Sequence, residues 1–278
     1  MKIGISESPY RRYGSERFRV IREHGYEAVD YAMANTDQEP YTVSDEEFER
    51  ILLEDKRLAE EARIEIYQVH GPWRWPTQDA TEEDRAERME KMKKSIRGTA
   101  LLGCRHWVIH PIMPFTYIDT GHEAETREMN LIFMRELLET AKEYDVVICL
   151  ENMPMPKLGL GSPNATLDFI KEINDDHFKM CLDTGHAAFF SEESAADFVR
   201  KNADYILAFH IHDNNGYADL HLMPYYGVTD WADLGKALRE VGYSGCFSLE
   251  TAPSRKLPSE QFDKMSKLLF EIAKSIIE

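Results

Sequence analysis

Six histidines and carboxylates recur along this chain at intervals of 27 to 41 residues, each closing a short apolar run. They are His70 in IEIYQVH, His110 in HWVIH, Glu151 in VVICLE, Asp183 in FKMCLD, His210 in YILAFH and Glu250 in CFSLE. Such an interval is about the length of one strand-helix unit in a barrel. A reactive side chain placed once per unit, always at a strand's C-terminal end, is how a (β/α)8 barrel assembles a site on one face. Imidazoles and carboxylates together are also what a divalent metal ion takes as ligands. The pattern thus constrains fold and chemistry at once: a parallel barrel, a metal and an enzyme.

The rest of the chain reads the same way. Eight runs of apolar, β-branched or aromatic residues cover Lys2–Ser6, Ala28–Tyr31, Ile64–His70, His106–His110, Val146–Glu151, Lys179–Asp183, Tyr205–Ile211 and Cys246–Glu250. Several are nearly continuous in apolar character, as parallel strands buried on both faces require. Amphipathic segments lie between them. SERFRVIREHG stops at Gly25, a helix C-terminal signal. Ser44 with Glu47, and Thr81 with Asp84, each have capping-box spacing. Strict alternation predicts an α/β fold, a (β/α)8 TIM barrel, as one domain over residues 1–278. Three loops after strands stand out. GPWRWPTQD carries two tryptophans, NMPMPKLGLGSP is rich in Pro and Gly, and HDNNGYADLHLMPYYGVTD is long and polar. Loops on that face cover or select a ligand.

Composition narrows the partners. The net charge of −17, from 33 Lys and Arg against 50 Asp and Glu, argues against a broad nucleic-acid footprint. No run approaches the roughly 20 apolar residues of a membrane span, and the first residues hold no secretory h-region. Four cysteines make no disulfide framework, and strand alternation points Cys149 and Cys181 into the barrel as small apolar residues. Reduced thiols without a leader predict a cytoplasmic protein.

The candidate site centres on Glu151, Asp183, His210 and Glu250. They end strands five to eight, which are neighbours around a barrel, so their side chains can meet. Any one could merely cap its strand; four on consecutive strands at matching positions predict a metal centre. The mixed donor set leaves Mn, Zn, Mg and Co open. Further possible ligands are His70 and His110, His186 in DTGH, and the Asp219-x-His221 pair. A lone strand-end histidine hydrogen-bonds a ligand more often than it binds a metal. Asp213, in HIHD, reads either as orienting an imidazole from behind or as a solvated loop carboxylate. Trp73, Trp75 and Tyr225 are candidates to stack on a substrate. Arg74, Lys157 and Arg255 lie just beyond strand ends, where a cation can hold a phosphate or carboxylate.

The segments LEN, CLDTGHA, FHIHDN, DLHLMPYYG and SLE resemble the xylose isomerase-like TIM-barrel superfamily, over essentially the whole chain. That superfamily holds sugar isomerases and epimerases, inosose dehydratases and family-2 AP endonucleases. The resemblance to the ketose 3-epimerase branch implies that Glu151, Asp183, His210 and Glu250 bind one divalent metal. It implies that the two glutamates are an acid/base pair and that His186 contacts the substrate. It also implies a dimer or tetramer. The branch's substrate-binding Arg in the loop after strand seven has no counterpart here.

A second branch resembles the chain differently. Endonuclease IV-like enzymes bind three zinc ions through nine residues, matched here by His70, His110, Glu151, Asp183, His186, His210, Asp219, His221 and Glu250. The surroundings depart from that branch: NMPMPK, HIHDNN and HLMPYYG stand where it has NTAGQG, HLNDSK and HENIGEG. The expectation is therefore a metal-dependent sugar or sugar phosphate isomerase or epimerase of carbohydrate metabolism, working by proton transfer through an enediolate. The alternatives are a trinuclear zinc phosphodiesterase acting on abasic DNA and a sugar-binding barrel without turnover.

Overall fold

The computed structural model describes residues 1–73, 79–115 and 121–278. Eight strands form one parallel sheet: β1 (Lys2–Ser6), β2 (Ala28–Ala32), β3 (Glu65–His70), β4 (His106–Ile109), β5 (Val147–Glu151), β6 (Phe178–Asp183), β7 (Ile206–His210) and β8 (Cys246–Leu249). Their order is β7-β6-β5-β4-β3-β2-β1-β8. The ring closes between β7 and β8 through an Ile211–Leu249 bridge. There Ile211 N donates to Ser248 O (2.8 Å), and Glu250 N donates to Ile211 O (3.0 Å). This is the expected (β/α)8 barrel.

Two strands stop one residue short of the reactive residue that closes their runs. The β4 ladder to β5 ends at Ile109 and the β8 ladder to β1 ends at Leu249. His110 and Glu250 are therefore the first residues beyond their strands, where the backbone begins to leave the barrel.

The helices follow local chemistry. Thr81 and Asp84 make the full reciprocal box at the start of Glu82–Leu101. Ser44 caps Asp45–Ala62 on one side only, because the Glu47 carboxylate turns outward and forks onto Arg50 at 2.7 and 2.6 Å. The first amphipathic segment is helical only over Arg17–Glu23, after a 3-10 stretch at Ser8–Glu16. Gly25 ends it with φ of +107°, a conformation that favours glycine. Among the described residues, no helix is long and apolar enough to cross a membrane.

The main core lies between barrel and helices, around Phe18, Phe48, Trp107, Phe169 and Phe247. A smaller cluster of Val108, Val147, Cys149, Cys181 and Ala208 occupies strand positions two or four residues before inward-facing site residues. All four cysteines are unpaired and buried. Burial pushes the thiols of Cys149 and Cys181 up, away from the reactive thiolate. Small interior side chains leave the polar groups at the strand ends as the floor of an open cavity.

Candidate metal centre

The DTGH segment shows how the sequence builds this floor. Asp183 ends β6, and its Oδ1 accepts from the His186 backbone N–H at 2.6 Å, starting a short helix over Thr184–Ala187. Its other oxygen, Oδ2, turns to two buried imidazoles, 3.0 Å from His212 Nε2 and 3.9 Å from His210 Nδ1. The Thr184 hydroxyl donates to His212 O (2.8 Å). Gly185 must be glycine, since a Cβ there would lie 2.0 Å from the His212 ring. Asn152, just past β5, accepts from Asp183 N (2.8 Å) and donates to Asp183 O (3.0 Å), locking β5 to β6.

Glu151 is at the centre of the cluster and almost wholly buried. Its Oε2 lies 3.1 Å from His110 Nε2, 3.1 Å from His210 Nδ1 and 3.9 Å from His70 Nε2. Its Oε1 lies 3.3 Å from His186 Nδ1. Glu250 Oε2 approaches His210 Nδ1 at 3.3 Å and His221 Nδ1 at 3.8 Å. Potential ligand atoms of Glu151, Asp183, His210 and Glu250 all lie within 4.8 Å of one another. Those of His70, His110 and Glu151, and of His186, His212, Asp219 and His221, form two adjoining groups under the same limit.

The electrostatics of the cluster are compatible with a bound cation. Among the described residues, the close ion-pair partners of Glu151, Asp183 and Glu250 are all imidazoles. Burial pulls His186 and His210 down, yet the surrounding anions hold both well above the ordinary histidine value. Burial lowers His110 to about 4, leaving a neutral imidazole. Burial raises Glu250, whereas His186 and His212 overcome burial and hold Asp183 at about 2. Six buried atoms of the cluster, both Glu151 carboxylate oxygens, Glu250 Oε2, His110 Nδ1, His186 Nε2 and His210 Nδ1, have no hydrogen-bond partner among the described residues. Each such group costs about 1–3 kcal/mol. Most of these orphaned donors and acceptors face one another, as ligands around a divalent cation do, so the residues fit a metal.

Asp30 and His212 belong to this arrangement and were not singled out from sequence. Asp30, inside β2, accepts from His210 Nε2 (2.9 Å) and from Gln68 Nε2 (3.0 Å). With Nε2 donating to Asp30, the His210 Nδ1 lone pair faces Glu151, Asp183 and Glu250. A carboxylate behind a ligating imidazole fixes its tautomer and raises its basicity. Asp30→Asn is therefore expected to weaken metal binding by about 10–100-fold, read by titration against a chelator. Unchanged affinity would remove this role. His212 has a simple signal: it lies two residues after His210, and strand alternation puts both on one side.

Other candidates are placed as follows. Trp73 lines the cavity and packs edge-on against His110 at 5.3 Å between ring centres. Arg74 and Trp75 lie outside the described residues. Tyr225 is exposed and absent from the described cavity lining, which instead includes Phe189 and Tyr217. Lys157 and Arg255 stand at the cavity. Asp213 fits neither expectation: it is buried and binds its own loop, accepting from Gly227 N and from Trp231 Nε1. The cavity holds about 1090 Å³.

A family model described as xylose isomerase-like TIM barrel matches residues 18–269. An uncharacterized protein of Methanocaldococcus jannaschii is 28% identical over 261 residues, which span 90% of this chain and 83% of that protein. A D-psicose 3-epimerase of Enterocloster bolteae is 35% identical over 118 residues, 42% of this chain and 37% of the epimerase. Among solved structures, a D-tagatose 3-epimerase-like protein superposes with a TM-score of 0.76 at 26% identity, covering 100% of this chain and 98% of its own.

Proposed function

We propose that this chain, which belongs to the xylose isomerase-like TIM-barrel family, is a metal-dependent sugar isomerase or epimerase. One observation carries the reading: three carboxylates and an imidazole at the ends of four consecutive strands meet beneath a cavity that Glu151 and Glu250 line, with orphaned atoms turned toward one another. The partial match to a ketose 3-epimerase supports the substrate class.

Glu151, Asp183, His210 and Glu250 would hold the cation. When bound, a divalent cation supplies Lewis-acid polarisation of neighbouring sugar oxygens. The chain's own residues do the rest. Glu151 is sealed among imidazoles, whereas the Glu250 side chain keeps 19% of its surface exposed toward the cavity. Two carboxylates on different strands can take a proton from one face of a sugar carbon and return it on the other. The neutral His110 and the edge of Trp73 form one wall against the sugar. Asp30 holds His210 in a single orientation.

Metal-loaded protein incubated with a panel of ketoses in D₂O should place solvent deuterium on carbon in at least one sugar, and chelation should abolish it. No deuterium in any sugar, with bound metal verified, sinks the reading.

A second reading has its own observation. The adjoining groups His70, His110, Glu151 and His186, His212, Asp219, His221 offer ligands for further ions, as a trinuclear zinc phosphodiesterase acting on abasic DNA would need. About three zinc ions per chain together with nicking of an abasic duplex would favour it. Against it stands a net charge of −17, with only two cations, Lys157 and Arg255, on the described cavity lining.

A further inference from the structure

The cavity is larger than its floor requires. A hexose has about 12 non-hydrogen atoms, whereas cavities of roughly 300–1,000 Å³ accept drug-sized ligands. At about 1090 Å³ this one has room for a second substituent above a sugar seated on the floor. Its two ends also differ in charge. Carboxylates crowd the floor, while Arg255 follows β8 and Lys157 follows β5 on the described lining.

Among the described residues, neither cation is neutralised. Elsewhere arginines fork onto acids, as Arg57 does onto Glu54, and Arg200 joins Asp233 and Glu240. Among the described residues, Arg255 has one hydrogen bond, from Nη2 to the Ser8 hydroxyl at 2.6 Å, and neither it nor Lys157 has an acidic partner.

The supports of these side chains are built. Ser8 follows Glu7, a buried carboxylate bound by Arg11 at 2.9 and 2.7 Å, whose backbone N–H donates to Asp30 O (3.0 Å). The Arg255 turn is closed by Leu257 N to Ser254 O (3.0 Å) and tied by Arg12 Nη2 to Leu257 O (3.0 Å). Lys157 sits in a 3-10 turn closed by Leu158 N to Met155 O (3.0 Å). In the ring order β5 lies four strands from β1, so Lys157 and the Ser8–Arg255 pair stand on opposite walls.

We propose that this mouth is an anion subsite, where Arg255 with Ser8 on one wall and Lys157 on the other hold a phosphate or carboxylate carried by the sugar, away from the reacting carbons. The inference rests on the reading of the floor as a sugar site and names its substrate class as anionic sugars. A guanidinium with free N–H groups suits the forked oxygens of either anion. In a protein of net charge −17, an anionic substrate also needs a local positive entrance.

The test is calorimetry on the metal-loaded protein with D-fructose, D-fructose 6-phosphate and the 6-carboxylate analogue D-fructuronate. At least one anion should bind about tenfold tighter than fructose, and the two arms tell phosphate from carboxylate. In an Arg255→Gln/Lys157→Gln double variant the ratio should fall to within about twofold of unity. Lys256→Gln removes a neighbouring charge outside the described lining and should keep the ratio. Equal affinities, no measurable binding of either anion, or a ratio that survives the double substitution overturns the proposal. A strong anion preference in a protein that never exchanges solvent deuterium supports the subsite and sinks the isomerase reading, so the two failures are distinguishable.

Discussion

Glu151→Gln and Glu250→Gln are each expected to lower turnover by about 10⁴-fold, the upper end of what a positioned proton-transferring group contributes. Glutamine keeps the volume and one carbonyl oxygen but removes the charge and the basic site. At position 151 the loss reaches further. The carboxylate lies within 4 Å of His70, His110, His186 and His210, so four imidazoles lose the anion that orders them. Metal affinity should fall along with turnover. Glu250 opens onto the cavity, and its change should cost turnover more than affinity. The readout is deuterium incorporation into whichever ketose the unsubstituted protein labels, beside a metal titration and a melting curve. Activity within tenfold of the parent in either variant, with metal bound, would falsify the acid/base assignment.

The six strand-end residues were legible because burial leaves parallel strands few reasons to end in His, Asp or Glu, and the interval of one strand-helix unit supplies the register. Fold and floor both follow from that. The supporting residues were harder to find. Asp30 lies in a short run whose partner, His210, is 180 residues away, so only closure of the barrel brings them together. His212 stands beyond the end of β7, where strand alternation no longer has to hold. Asn152 looks like any polar loop residue until its paired bonds to Asp183 across β5 and β6 are seen. Asp213 departs from both of its expected roles for a related reason. Its spacing from His210 suggests contact with an imidazole, yet alternation turns it from the floor toward Trp231. The apolar cysteine positions were legible because Cys149 and Cys181 share strands and parity with Glu151 and Asp183.

Asp213→Ala should destabilise the protein by about 3 kcal/mol, although the residue touches no proposed ligand of the four-residue centre. Its Oδ1 accepts from Asn214 N (2.9 Å) and Thr229 N (3.1 Å), and its Oδ2 from Gly227 N (2.8 Å) and Trp231 Nε1 (2.9 Å). One buried carboxylate thus gathers both ends of the long loop after β7 and the first residue of the helix Trp231–Glu240. The fit is tight: a Cβ on Gly227 would lie 2.3 Å from Asp213 Oδ1. Bonds to a charged acceptor are worth about 1.5–3 kcal/mol each, and truncation strands four donors at once. Relaxation of the loop toward water recovers part of that. In a chain of this size the loss corresponds to a fall in Tm of roughly 5–10 °C. Asp213→Asn should fall between, since its amide group turns two N–H donors toward other donors. The same loop carries Asp219 and His221, and His221 Nδ1 lies 3.1 Å from Glu250 O. Loosening it should therefore release these two from the cavity wall, weakening ligand binding before the barrel melts. A thermal scan with and without metal separates the two effects. A Tm within about 1 °C of the parent would show that backbone pairing, Asp213 N to Leu222 O and Leu222 N to Asp213 O, holds the loop by itself.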